Sequence, residues 1–314
     1  MADRQLMNPE LPLVLGGNTF GWTSNEEESF AVLDAFLEAG GSHVDTADQY
    51  SFWAPGNNGG ESETVLGNYL AARRNRDDMF LATKVGGWDG RPGLSAENVK
   101  AAVDDSLTRL QTDYIDLYYA HYDDESQSAQ QLAQTFHDLV EDRKIRHIAM
   151  SNFTPQRQAA WIAAAKEAGL TVPSAIQPNY SLAHRSDYEG PQGFGALAEQ
   201  HQLAVFPYAS LASGLLTGKY RKLADFEGVA REGMLEKFAD QTGLALVDSL
   251  VQVADEVGAE PAGVALKWLL VKGVTAPIAS ARTPEQLKPL IAAPNVELSG
   301  DHIAHLDKAS EAYL

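Results

Sequence analysis

The chain has 314 residues, of which 44% are hydrophobic, so it can build a substantial core and is not disordered. Its formal net charge of -19 disfavours nucleic acid and anionic membrane surfaces as partners. The absence of cysteine excludes disulfides, thiolate metal sites and a cysteine nucleophile, and it favours a reducing compartment.

Targeting signals are not evident in the sequence. The first twenty residues interrupt their apolar positions with polar ones such as Asp3, Arg4 and Asn8, unlike a secretion signal. No later apolar run reaches the length of a membrane span. We therefore expect a soluble cytoplasmic protein.

Short apolar runs alternate with longer amphipathic segments along the chain, which is typical of βα units and a parallel sheet. Eight strands are predicted, at residues 13–15, 43–45, 80–83, 114–118, 147–150, 175–177, 204–207 and 275–278. Eight such units predict an α/β fold of the TIM (β/α)8 barrel type. We expect a single domain over residues 1–314, with a short N-terminal hairpin and two extra helices.

Local signals mark where several helices begin. Ser24, followed three residues later by Glu27, predicts a capping box at the start of the first helix. Thr154 and Thr283 are each followed by proline, which predicts two further helix starts.

Four polar residues come just after successive predicted strands: Asp45, Tyr50, Lys84 and His121. In a barrel of parallel strands, the strand ends that precede these residues lie at one rim, where active sites form. A phenol, an ammonium, a carboxylate and an imidazole in one place predict proton-transfer chemistry.

Three long irregular stretches should project from the same rim and wall a pocket, at residues 51–60, 179–193 and 213–239. No segment has the glycine pattern of a Rossmann dinucleotide site. The segment GLLTGKY at residues 214–220 is one residue short of a phosphate loop, although its lysine and glycine amides suit a pyrophosphate. We expect no metal site, because no histidine pair has a ligand spacing.

Eight segments, in order, resemble the aldo-keto reductase family, a family of barrel enzymes that bind a nicotinamide cofactor without a Rossmann fold. They are VDTADQY, ESETVLGNYL, ATK, DYIDLYYAH, MSNF, IQPNYS, FPYASLASGLLTGKY and ASARTPEQL, and the resemblance runs from about residue 13 to about residue 290. Two of the loops look more like the bacterial and potassium-channel β-subunit side of the family than the mammalian aldose reductase side.

The resemblance implies reduction of an aldehyde or ketone to an alcohol, with hydride from the cofactor. Tyr50 would be the acid that protonates the carbonyl oxygen, and Lys84 would lower the pKa of its phenol. Asp45 would position and neutralise the buried ammonium of Lys84. His121 would donate a hydrogen bond to the carbonyl oxygen.

The resemblance also implies a cofactor site, with NADPH preferred and NADH possible. The preference depends mainly on Arg282, whose guanidinium suits a ribose 2′-phosphate. The implied cofactor contacts are Thr19, Ser151, Asn152, Gln177, Tyr208, Ser210, Leu211, Ser213, Gly214, Leu215, Lys219, Ser280, Arg282 and Gln286.

The chain departs from the family pattern at a few positions. Pro289 and Leu290 occupy positions where the family commonly has the glutamate and asparagine that contact adenine, and Asn18 replaces a usual glycine. An aromatic substrate wall is predicted from Phe20, Trp22, Trp53 and Tyr122, together with Tyr180. A small carbonyl compound is the expected partner, and the sequence does not predict the oligomeric state.

Two other functions remain open at this point. A redox-sensing module would bind the cofactor and turn over little substrate, as channel β-subunits suggest. A barrel aldolase would instead use Lys84 to form a Schiff base. The presence of Asp45 and Tyr50 beside Lys84 favours the reductase.

Overall fold

The computed structural model describes residues 6–229 and 232–314. Residues 230 and 231, inside the predicted loop 213–239, lie outside the described residues. The strands, labelled β1 to β8 in chain order, are Val14–Gly16, His43–Asp45, Phe80–Val85, Ile115–Ala120, Ile145–Ser151, Ala175–Gln177, Ala204–Val205 and Ile278–Ala279.

All paired strands run parallel, in the order β7-β6-β5-β4-β3-β2-β1-β8. Backbone hydrogen bonds also join the two ends of this sheet. The amides of Thr275 and Ala276 donate to the carbonyl of Val205, and the amide of Ile278 donates to Pro207. The curled sheet is therefore consistent with the predicted (β/α)8 barrel.

Helices cover the outside of the sheet. Labelled α1 to α11 in chain order, they are Glu26–Glu38, Glu61–Arg73, Ala96–Leu110, Ala129–Glu141, Pro155–Ala168, Phe194–His201, Glu232–Leu235, Gln241–Val257, Pro261–Val271, Pro284–Ala292 and Gly300–Ala309. Within the described ranges, no helix is both long enough and apolar enough to cross a bilayer.

The eight strand predictions are confirmed, with shifts of a few residues at their ends. The largest shift is in the last strand, predicted at 275–278 and observed at Ile278–Ala279. No strand precedes β1 in the chain described from residue 6 onward, so the expected N-terminal hairpin is not seen there; residues 1–5 lie outside the described residues. The number of extra helices depends on whether the four-residue α7 is counted, so that detail stays a prediction.

The predicted capping box of α1 is wrong by one residue. Asn25, not Ser24, caps the helix: its side chain accepts from the amide of Glu28, whose carboxylate accepts from the amide of Asn25, both at 2.9 Å. Ser24 is fully buried and its hydroxyl lacks a partner in the described part of the chain. The caps at Thr154 and Thr283 are confirmed.

The alternation of side chains along the strands explains how the barrel interior changes from apolar to polar. Ala82, Leu117 and Ala175 belong to a buried cluster inside the sheet. Lys84 and Gln177 follow two residues after the alanines, on the same face and closer to the carboxyl end. One face of the strands therefore carries both an apolar plug and, above it, the polar site.

Candidate active site

A buried ion pair lies at the centre of the polar rim. The ammonium Nζ of Lys84 is 2.5 Å from Oδ1 of Asp45 and also donates to the carbonyl of Thr46 at 2.7 Å. Both side chains are almost completely buried, with exposures of 0% and 2%. The second carboxylate oxygen of Asp45 accepts from the amide of Gln177 at 2.9 Å, so both oxygens have partners.

The phenol of Tyr50 completes this group. Nζ of Lys84 donates to its hydroxyl at 3.0 Å and lies 4.7 Å from the ring centroid. Tyr50 sits in a turn after β2, where its amide donates to the carbonyl of Ala47. The next residue, Ser51, anchors the turn by donating from its hydroxyl to the carbonyl of Phe20 at 2.7 Å.

The electrostatics of this group correct one expectation. Burial raises the pKa of Tyr50, and the charge of Lys84 lowers it by less, so the net pKa lies above that of a free phenol. Lys84 therefore limits the rise and does not produce a low pKa. Tyr50 is consequently protonated at neutral pH, the form that an acid requires.

The charge states of Lys84 and Asp45 depend on each other. Burial lowers the pKa of Lys84, but Asp45 and Tyr50 raise it more, so the ammonium persists. Burial raises the pKa of Asp45, and Lys84 and Gln177 offset part of that rise. The favourable geometry of the pair compensates for removing two charges from water.

The ring of His121 lies near that of Tyr50, with the two ring centroids 6.1 Å apart. Burial lowers its pKa well below the ordinary value, and the nearby charge of Lys84 lowers it further. The imidazole is therefore neutral at neutral pH, with one nitrogen that donates and one that accepts.

The group opens onto a cavity of ≈ 1320 Å³ at the carboxyl ends of the strands. Each of the three long loops contributes to its wall, for example through Trp53, Asn179 and Ser213. The rings of Trp22 and Trp53 meet edge to face at 5.5 Å, and Tyr122 stacks on His121 at 4.6 Å. One end of the cavity is therefore aromatic and adjoins Tyr50.

Hydrogen bonds orient an amide and a hydroxyl in the middle of the cavity. Asn152 donates from its side chain to the carbonyl of His121 at 2.9 Å, and it accepts from the hydroxyl of Tyr208 at 3.0 Å. Ser151 donates to the carbonyl of Gln177 at 2.9 Å. Asn152 has a positive φ of 55°, an unusual backbone conformation for a residue other than glycine. Such conformations persist where contacts hold them, often at functional sites.

The segment after β7 forms a cradle along the cavity. Ala209, Ala212 and Ser213 all have positive φ, as does Gly214 at 99°. The φ of Gly214 would strain any other residue, and the ammonium of Lys219 lies beside this glycine, since a Cβ here would be 3.4 Å from Nζ. Backbone amides in such a tight turn, next to an ammonium, form a site that fits a pyrophosphate.

The far end of the cavity carries Arg282, at the start of α10. The backbone amide of Arg282 donates to the side-chain oxygen of Gln286 at 3.1 Å. Asn18 and Ser280 also line the cavity, and the hydroxyl of Ser280 donates to the side-chain oxygen of Asn18 at 2.6 Å. Pro289 and Leu290 also line this end, so its wall is partly apolar.

Most of the predicted contact residues line the cavity. The exceptions are Phe20 and Leu215, which are completely buried and lie outside its wall. Tyr180 is also buried and donates to Glu189 instead. Lys84 does not reach the cavity wall either, because it lies behind Tyr50 and Asp45.

Among the polar residues of the wall, sequence reasoning did not name Gln49, and it included Asn179 only as part of the loop 179–193. Gln49 places its amide 3.5 Å from Nδ1 of His121. Both residues are inside quoted motifs, VDTADQY and IQPNYS, so their position next to Tyr50 and close to Gln177 was the available signal.

Known proteins resemble the chain over nearly its whole length. The model of the Aldo/keto reductase family matches residues 12–311. Norsolorinic acid reductase stcV of Emericella nidulans is 32% identical, over 94% of this chain and 77% of its own length. Protein tas of Escherichia coli is 31% identical, over 96% of this chain and 94% of its own length. Aldo-keto reductase YhdN of Bacillus subtilis is 31% identical, over 88% of this chain and 81% of its own length.

These matches agree with the parallel barrel and with the buried ion pair at its rim. The bacterial relatives also agree with the side of the family that the loops indicate. The chain belongs to the aldo/keto reductase family of carbonyl-reducing oxidoreductases.

Proposed function

We propose that this protein reduces an aldehyde or ketone to an alcohol with NADPH, and that Tyr50 supplies the proton. The observation that carries the proposal is the contact of Tyr50 with Lys84 at 3.0 Å, beside a cavity of ≈ 1320 Å³. A protonated phenol at the wall of a large, partly aromatic cavity is suited to protonate a carbonyl oxygen.

Each polar residue has a role in this reaction. The phenol of Tyr50 donates its proton to the carbonyl oxygen, and the ammonium of Lys84 stabilises the phenolate that remains. Asp45 holds that ammonium in place through its contact of 2.5 Å. His121, as a neutral imidazole, donates a hydrogen bond to the same oxygen and stabilises the charge that develops there. The nicotinamide, when bound, supplies the hydride at its C4.

The cavity residues fit a dinucleotide along their length. Ser151, Asn152 and Gln177 offer a hydroxyl and amides for a carboxamide, and the ring of Tyr208 is available for stacking. The cradle at Gly214 and Lys219 suits the pyrophosphate. Arg282 supports a preference for NADPH over NADH, because its planar guanidinium can donate two parallel hydrogen bonds to the ribose 2′-phosphate.

The substrate is proposed to be a small carbonyl compound with an aromatic or otherwise flat apolar part. Trp22, Trp53 and Tyr122 form the wall beside Tyr50 that would receive it. The name of one relative, the putative aryl-alcohol dehydrogenase AAD14 of Saccharomyces cerevisiae, which is 30% identical, agrees with an aryl substrate.

The test is fluorescence titration with NADPH and NADH separately, followed by turnover of a panel of aryl and alkyl carbonyl compounds. We expect NADPH to bind and to be oxidised in the presence of an aryl aldehyde. Binding of neither nucleotide would contradict the cofactor assignment. Tight binding without turnover of any carbonyl would favour a redox-sensing module instead.

Tyr50→Phe is the variant that tests the proton donor. The substitution removes the hydroxyl and keeps the ring, so NADPH should still bind while kcat falls by roughly 10²-fold to 10⁴-fold. A variant that retains most of its turnover would show that another group protonates the substrate. Wild-type reduction should also persist through neutral pH and fall only in strong base, because burial keeps the pKa of Tyr50 high.

A further inference from the structure

We propose that Gln49 is a positioning residue that holds His121 in the tautomer with its proton on Nε2, the nitrogen available to a bound carbonyl. This inference rests on the proposed function, because it specifies how the imidazole of His121 serves that reaction. Gln49 directly precedes Tyr50 and lines the same cavity.

The contact that carries the inference joins Nε2 of Gln49 and Nδ1 of His121 at 3.5 Å. A side-chain NH2 group can only donate, so Nδ1 must accept, and a neutral imidazole then has its single proton on Nε2. Within the described part of the chain, Nε2 of His121 has no protein partner, and the residue lines the cavity. That N–H is therefore free to donate to a ligand.

The tautomer matters because only one of the two forms serves the reaction. An N–H aimed at the carbonyl oxygen stabilises its developing negative charge, whereas an unprotonated nitrogen would repel it. Burial lowers the pKa of His121 well below its ordinary value. The imidazole therefore stays neutral and carries only one proton, so a neighbouring group must determine which of its two nitrogens holds that proton.

The surroundings fix Gln49 in this place. Its backbone carbonyl accepts from the amide of Phe52, and the residue lies in the same turn as Tyr50. A Cβ on Gly87 would come within 2.8 Å of both the Gln49 amide oxygen and the ring of Tyr122. Because residue 87 has no side chain, there is room for both the side-chain amide of Gln49 and the ring of Tyr122, which stacks on His121.

Two substitutions of nearly the same size separate positioning from packing. In Gln49→Glu, the ionised carboxylate can only accept a hydrogen bond from Nδ1 of His121. The proton should therefore move from Nε2 to Nδ1, and kcat should fall by roughly 10²-fold. Gln49→Met fills the space without preferring either tautomer, so its kcat should fall by roughly tenfold or less. NADPH affinity should stay near the wild-type value in both variants, and thermal unfolding would verify that both fold.

The decisive readout is independent of turnover. Protein labelled with ¹⁵N-histidine, with the His121→Asn variant used to assign the signal, reports by NMR which imidazole nitrogen carries the proton. We expect Nε2–H in the wild type and Nδ1–H in Gln49→Glu. A wild-type protein with Nδ1–H, or a tautomer that does not change in Gln49→Glu, would overturn the inference.

The kinetic outcomes also distinguish this inference from the proposed function. If Gln49→Glu and Gln49→Met lose kcat equally, Gln49 acts through packing, and the inference fails while the reductase stands. If the wild type reduces no carbonyl compound but has the expected tautomer, the proposed function fails and the role of Gln49 in orienting the proton is retained.

Discussion

Tyr50 shows how burial and charge compete at a single residue. The ammonium of Lys84 is 3.0 Å from its hydroxyl, yet burial has the larger effect and the pKa rises. The ion pair with Asp45 reduces what Lys84 contributes, because a neutralised cation stabilises a nearby phenolate less well. The main electrostatic role of Lys84 in the folded protein is therefore to balance the charge of Asp45, and in the proposed reaction it would also stabilise the Tyr50 phenolate.

Removal of Lys84 should expose the cost of the buried carboxylate. In Lys84→Met, Asp45 is left buried without its cation and must either hold an unpaired charge or take up a proton, so the free energy of unfolding should fall by about 3–5 kcal/mol. Adding Asp45→Asn should recover a large part of that loss, because no charge remains buried. Urea unfolding of the single and double variants measures both changes. Equal stabilities of the two variants would contradict a dominant role for the charge.

Arg282 should determine the preference between the two cofactors. In Arg282→Gln, NADPH affinity should fall by roughly tenfold, since one charge-assisted phosphate contact at an exposed site is lost, whereas NADH affinity should change little. Lys288→Gln is the matched control, because Lys288 is an exposed cation on α10, the helix that follows Arg282, and lies outside the cavity wall. Fluorescence titration measures both affinities, and equal losses for NADPH and NADH would remove the assignment.

At the scale of single elements, the start of α1 shows why a cap cannot be located from spacing alone. Ser24 with Glu27, and Asn25 with Glu28, both fit the capping-box pattern. The structure selects the second pair, and it buries Ser24 against other elements. Local chemistry predicts the helix start within one residue, and tertiary packing decides between the two registers.

Alanine substitutions should distinguish the two candidate caps. Asn25→Ala removes a hydrogen bond to the amide of Glu28, so the free energy of unfolding should fall by about 1 kcal/mol. Ser24→Ala removes a buried hydroxyl without a partner in the described chain, so stability should stay the same or rise slightly. Chemical denaturation measures both. A larger loss for Ser24→Ala than for Asn25→Ala would reverse the assignment.

At the scale of the whole molecule, the barrel interior imposes a dependence of stability on pH. His43 is 1% exposed, and its ring packs between Phe80 and Phe206, with centroids at 4.6 and 4.9 Å. Burial, and to a lesser extent Lys84, lowers the pKa of His43 to about 3. The folded protein therefore contains a histidine that remains neutral at pH values where the unfolded chain would protonate it.

The sign of this effect follows from proton uptake. Below the ordinary histidine pKa of about 6.5, the unfolded state binds a proton that the folded state excludes, so stability is full above that pH and declines as the pH falls toward 3. Between pH 7.5 and pH 5 the loss from His43 should be roughly 2 kcal/mol. Urea unfolding at the two pH values should show a smaller decline in His43→Leu. An identical decline in both proteins would exclude His43 as the cause.

The sequence by itself determined the features that depend on local pattern. Apolar runs located the eight strands, and Thr154 and Thr283 marked two helix starts, because strand periodicity and capping are encoded by near neighbours. The parallel arrangement of those strands was also enough to predict that Asp45, Tyr50 and Lys84 would meet, since strand ends of one kind share a rim.

Only the tertiary structure decided which side chains reach the cavity and which charge states they hold. Phe20 and Leu215 turned out to be buried, while Gln49 reached His121, because inclusion in the wall depends on contacts with residues far away in the chain. The direction of the Tyr50 pKa likewise depends on how deeply the folded barrel buries the phenol against the charge of Lys84. Desolvation is a property of the packed molecule, so no spacing of residues along the chain determines it.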